Sequence, residues 1–138
     1  MVKIGDSERR LLDAALKAME NAHVLWGLKV EGAVLVDGGH VYEGCNFESW
    51  VLGLGTCAER CAINHAVLHG NNKIKEIATV MVKTMIILDH LGLVYSIFVI
   101  FENSRIKIVM AKVEKGRILF ETVNAKTIEE MLPFPFKK

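Results

Sequence analysis

The stretch Gly44-Cys45-Asn46-Phe47-Glu48 is followed, four residues on, by Gly53-Leu54-Gly55-Thr56-Cys57-Ala58-Glu59-Arg60. Its residue types predict a strand, a loop and a helix in that order. Asn46 closes a strand that begins at His40, and asparagine ends strands readily. Gly53 and Gly55 permit backbone conformations that other residues resist. Thr56 followed three residues later by Glu59 reads as a capping box. A helix from Cys57 to about Leu68 then follows, stopped by Gly70-Asn71-Asn72.

Upstream of this stretch, residues 6–22 predict an amphipathic helix capped by Asp6 or Ser7. Leu11, Leu12, Ala15, Leu16 and Met19 recur at helical spacing, with Arg9, Arg10, Lys17 and Glu20 on the other side. Leu28–Val36 reads as a strand entering a hairpin turn at Asp37-Gly38-Gly39, and His40–Asn46 as its return. Downstream, Ile74–Thr84, Ile106–Val113 and Arg117–Val123 have strand character, the last two joined by a turn at Glu114-Lys115-Gly116. Asn124 or Thr127 starts a short final helix that Pro133 ends. Residues 86–101 fit two patterns. Ile87, Leu91, Val94 and Phe98 have helical spacing, whereas Ile97–Phe101 is a continuous β-prone run. The pattern therefore predicts an α/β domain with a mixed sheet of about five strands and helices on both faces.

The chain has 138 residues, enough for one domain with a real core, and no Pro/Gly/Ser linker divides residues 1–138. Apolar residues make up 51%, at or above the usual upper end, which points to buried surface in an oligomer or to a ligand groove. The net charge is +1 with the signs mixed, so there is no basic stripe for nucleic acid. The most apolar run, Met85–Phe101, carries Asp89 and His90 and falls short of the usual membrane span. Three cysteines and no leader peptide suggest a reduced, cytoplasmic setting.

The quoted stretch resembles the first signature of the cytidine deaminases, the free-nucleoside, zinc-dependent type. In that family an Asn-x-Glu pair holds the ribose, and a zinc-binding Cys opens a helix eleven residues after the Asn. Asn46 and Cys57 keep that interval, and Cys57-Ala58-Glu59-Arg60 matches letter for letter. Glu130-Met131-Leu132-Pro133-x-x-Phe136 resembles the family's closing Glu-Leu-Leu-Pro-x-x-Phe. The resemblance implies a three-layer α/β/α fold and hydrolysis of cytidine or deoxycytidine to uridine or deoxyuridine. It casts Cys57 as a zinc ligand, Glu59 as the proton shuttle, Asn46 and Glu48 as ribose contacts, and Phe136 as a residue reaching a neighbouring subunit's pocket. It also implies a homotetramer. The chemistry is coherent: zinc turns water into hydroxide, and a carboxyl group moves protons to the ring and then to the leaving amine.

Each residue also has a plainer reading. Cys57 is equally a small buried apolar group whose thiolate, if formed, the helix N-terminus would favour. Glu59 is equally a capping residue, Asn46 and Glu48 loop polar groups, and Phe136 a terminal hydrophobe packed on its own core. The family's second signature is missing. Laid on this chain, Pro-Cys-Gly-x-Cys-Arg-Gln falls on His90-Leu91-Gly92-Leu93-Val94-Tyr95-Ser96, with Leu91 and Val94 in the two ligand slots. The family's Phe-Pro-Val-Gly-Ala falls on Lys29-Val30-Glu31-Gly32-Ala33, so Lys29 replaces the ring-stacking Phe. A catalytic zinc needs three protein ligands and an open position. Cys57, Cys61 and His90 are the rescue ligands the sequence offers. Cys61, His65 and His69 continue the helical row from Cys57, but His65 lies roughly 12 Å along the axis, too far to share an ion with Cys57.

Three functions follow as expectations. The first is a degenerate homologue without zinc that retains a pyrimidine nucleoside site. The second is an active zinc hydrolase with a rebuilt site. The third is a non-catalytic subunit that completes the pocket of a catalytic relative.

Overall fold

The computed structural model describes residues 3–26, 29–51, 53–82 and 105–131. Helix α1, Asp6–Ala18, continues into a 3-10 turn at Met19–Asn21 and buries Leu11, Leu12 and Ala15. Its N-cap is Gly5 rather than the expected Asp6 or Ser7. Glu8 reaches back to accept the Gly5 N–H at 2.9 Å, the half of a capping box that the third helical residue supplies. The same carboxylate pairs with Lys107, and that ammonium pulls its pKa down.

Strands β1 (Val30–Val36) and β2 (Val41–Cys45) form the expected hairpin, turned by Gly38 and Gly39 at φ 88° and 84°. Helix α2 spans Ala58–Leu68. Strand β3 (Ile74–Met81) lies antiparallel to β1, and β4 (Lys107–Glu114) parallel to β3. Strand β5 (Arg117–Thr127) runs antiparallel to β4, giving the mixed sheet order β2-β1-β3-β4-β5. This is the α/β fold with five strands that the pattern predicts.

Strand β5 is longer than Arg117–Val123, and Asn124 pairs with Met110 inside it, so Asn124 does not start the final helix. Helix α3, Ile128–Met131, begins after Thr127. There the capping box is real: Glu130 Oε2 accepts the Thr127 N–H at 2.7 Å, and Thr127 Oγ1 accepts the Glu130 N–H at 3.3 Å.

The sheet has a core on each face. Val34, Val36, Ile77, Ile108, Ala62 and Ile128 fill the α2 side. Ala33, Ala78, Val80 and Val109 pack under Leu11, Leu12 and Ala15 of α1. The alternation of side chains along β1 and β3 produces this division. Two glycines then set how closely α2 approaches. Gly32 and Gly44 are register partners on β1 and β2. A Cβ on Gly44 would lie 2.2 Å from Ala62 N, and one on Gly32 would lie 3.0 Å from Glu59 N. The helix therefore rests on bare backbone, with its first turn over β1. Residues 86–101, with His90, Leu91 and Val94, lie outside the described residues, as do Pro133 and Phe136.

Candidate active site

The site begins where the chain enters α2. Cys57 is the N-cap, extended at φ −76° and ψ 154°, with no side-chain capping bond. The capping box expected for Thr56 and Glu59 does not form. Thr56 is one residue too early, and its hydroxyl makes only a long contact with Cys57 O. The Glu59 carboxylate is buried, and its Oε1 accepts a hydrogen bond from Thr79 Oγ1 at 2.9 Å. Thr79 is the register partner of Gly32 on β3. The bare surface at Gly32 thus lets the first turn of α2 sit low enough for Glu59 to reach across β1. Local spacing could not reveal Thr79, twenty residues away.

Cys57 is half-buried. Burial pushes its thiol above the ordinary value, the Glu59 charge adds to this, and Arg60 opposes both. The expected help from the helix N-terminus is outweighed: removing the thiolate from water costs more than the terminus returns. Arg60 itself is exposed. Cys61 is half-buried one turn further on. With Cys45, Gly44, Asn21, Glu20 and Lys17 it lines a groove of about 390 Å³ at the β2 edge. Burial also raises the Cys45 thiol, with Glu31 and Cys61 adding to it.

Asn46 and Glu48 flank a loop that is pinned at its neck. Phe47 and Thr56 exchange backbone hydrogen bonds at 3.0 and 2.9 Å, so Glu48 and Cys57 each adjoin one closed bridge. Asn46 is buried, and its Oδ1 accepts the Val30 N–H at 3.3 Å. Glu48 Oε2 accepts the N–H groups of Leu25 and Trp26. Glu48 thus holds the segment that precedes β1, Asn46 holds the first residue of β1, and Phe47 stacks on His23 with ring centroids 5.1 Å apart. The structure brings Asn46, Glu48, Cys57 and Glu59 to one end of the sheet around that bridge.

Sequence reasoning singled out Lys29 and passed over Glu31. Glu31 is wholly buried, and neither carboxylate oxygen has a hydrogen-bond partner. Its register partners are Cys45 and Val80, and it shares a strand face with Ala33 under α1. Burial pushes its pKa up to about 8; Lys29 opposes the rise and Glu59 adds to it. A lone acid inside the apolar run Val30–Val36 was the available signal.

Zinc is the metal the resemblance implies. Among the described residues, no three His, Cys, Asp or Glu side chains gather closely enough to hold an ion. Cys57 and Cys61 alone do not make up such a site, and positions 90, 91 and 94 fall outside the described residues.

With this geometry in hand, the chain can be set beside known proteins. The family model for the cytidine and deoxycytidylate deaminase zinc-binding region matches residues 6–86, ending before Leu91 and Val94. A cytidine deaminase of Sporosarcina psychrophila is 36% identical over 72 residues, which cover 51% of this chain and 53% of that protein. The chain thus spans about half the length of that relative. The crystal structure of cytidine deaminase from Burkholderia pseudomallei superposes with a TM-score of 0.75 at 24% identity, covering 93% of this chain and 98% of that one. The enzyme from Mycobacterium tuberculosis gives 0.72 at 23% identity, covering 98% and 100%. At these identities the two structures speak for the fold, and the match to residues 6–86 speaks for kinship.

Proposed function

The chain belongs to the cytidine deaminase family, and we propose that it is a member that has lost the zinc site and the hydrolytic deamination that depends on it, while keeping a pocket for a pyrimidine nucleoside. The donor set carries this reading. Of the three thiolate positions the sequence keeps Cys57, and Leu91 and Val94 stand at the other two. Neither aliphatic side chain can bind a metal, and a catalytic zinc needs three protein ligands. Glu59 supports it: hydrogen-bonded to Thr79, its carboxylate ties α2 to β3.

Asn46 and Glu48 are the residues we assign to the nucleoside, with Phe136 contributed between subunits of a homo-oligomer, a tetramer by kinship. Glu48 uses Oε2 for the backbone of Leu25 and Trp26, which orients the carboxylate. Exposed Trp26, Trp50, Val51 and Leu54 lie on the segments that Glu48 joins or on its own loop and suit association with further copies. Three unpaired cysteines accord with a cytoplasmic setting. Among the described residues no helix is long and apolar enough to cross a membrane.

The test is ammonia release from cytidine and deoxycytidine by protein purified without a metal-affinity tag, assayed with and without added zinc. No release above background is expected, together with saturable binding of cytidine or uridine by calorimetry. Zinc-dependent release that Glu59→Gln abolishes would instead establish a rebuilt hydrolase built on the retained Cys57 and Glu59. Absence of nucleoside binding would reduce the chain to a scaffold or to a partner for a catalytic relative.

A further inference from the structure

The far end of α2 presents a second constellation of donors, away from Cys57 and Glu59. His65 and His69 stand four apart, so they occupy the same face of the last helical turn, and their ring centroids are 5.0 Å apart. Each ring is held by one nitrogen. His65 Nδ1 lies 3.0 Å from the carbonyl oxygen of Glu43 on β2, and His69 Nδ1 lies 2.9 Å from the carbonyl oxygen of His65. A carbonyl only accepts hydrogen bonds, so Nδ1 is the protonated nitrogen in both rings. The neutral tautomer is thereby fixed, with the lone pair on Nε2. Among the described residues neither Nε2 has a hydrogen-bond partner.

We propose that His65 and His69 form a two-imidazole site for a divalent transition-metal ion, bound through their Nε2 atoms. Histidines four apart on a helix are a recurring chelating arrangement. Metal-bound histidines characteristically donate their other ring N–H to a carbonyl or carboxylate, which is the bonding both rings already have. Tyr42 walls the site, with its ring 5.1 Å from His65 and 5.4 Å from His69. Its hydroxyl accepts a hydrogen bond from Asn71 at 2.6 Å, which holds the ring in place beside both histidines. The carbonyl end of a helix favours a nearby cation. Imidazole donors suit nickel, copper and zinc, with copper and nickel ahead of manganese or iron. A bound ion would clamp the last turn of α2 and, through the Glu43 carbonyl, the β2 edge.

Nickel(II) titration of untagged protein at pH 7.5, followed by calorimetry and by melting temperature, tests the site. The expected result is about one nickel ion per chain and a raised melting temperature, with affinity falling at least about tenfold in His69→Ala. Cys57→Ser with Cys61→Ser should bind nickel as the parent does. His69 is exposed, so its removal leaves the core intact, and His65→Gln provides a second variant. Binding should also weaken on acidification, because protons compete with a metal ion for imidazole nitrogen. Unchanged affinity in both histidine variants, or loss of binding in the cysteine variant, would overturn the proposal.

Discussion

Thr79 Oγ1 donates a hydrogen bond to Glu59 Oε1 at 2.9 Å, joining β3 to the first turn of α2 across the bare backbone of Gly32. Both groups are buried. A buried carboxylate that loses its donor bears the desolvation cost alone. Thr79→Val should therefore destabilise the fold by about 1–3 kcal/mol, whereas Thr79→Ser should recover most of the loss. Urea denaturation of the three proteins measures this, and equal midpoints would show that the bond contributes nothing.

Glu31 presents the opposite case, a buried acid whose oxygens have no partner. Its carboxyl pKa is raised from 4.5 to about 8 in the folded chain. Between those values the unfolded chain ionises while the folded chain holds its proton. Stability therefore falls as pH rises from about 4.5 to 8, by at most about 1.4 kcal/mol per pH unit from this group. Glu31→Gln should flatten the fall across that window and raise stability at pH 8. Parallel curves for parent and variant, measured from pH 5 to 9, would remove Glu31 as the cause.

Gly44 is where α2 touches β2 most closely. A Cβ there would lie 2.2 Å from Ala62 N and 2.3 Å from Ala58 O, both backbone atoms of a helix that cannot give way locally. Gly44→Ala should cost more than about 3 kcal/mol or prevent folding. Gly39→Ala meets no atom within 4 Å and should cost only the strain of its φ of +84°, about 1 kcal/mol. Comparable losses for the two variants would show that close packing at Gly44 is not what limits the approach of α2.

These residues also mark what the sequence could and could not disclose. Helical spacing of Leu11, Leu12 and Ala15 and the Asp37-Gly38-Gly39 turn placed α1 and the first hairpin, because those signals are local. The joint spacing of Asn46, Cys57 and Glu59 carried the family resemblance, which the family match over residues 6–86 bears out. The reading of Thr56 and Glu59 as a capping box failed for a physical reason: the same carboxylate had a buried partner on β3, and long-range burial outweighed a local cap. At Thr127 and Glu130, where no competing partner for the carboxylate occurs among the described residues, the same Thr-x-x-Glu pattern does form a capping box. Glu31 was passed over because alternation along β1 says which face a residue occupies, not whether its oxygens will find a donor.

On the proposed reading, this member of the family no longer carries the catalytic metal. Elemental analysis of untagged protein for zinc tests it most directly. Far less than one zinc per chain is expected, both as purified and after dialysis against micromolar zinc with His69→Ala in place to remove the site on α2. About one zinc per chain in that variant, lost on Cys57→Ser, would contradict it and restore Glu59 as the candidate proton shuttle.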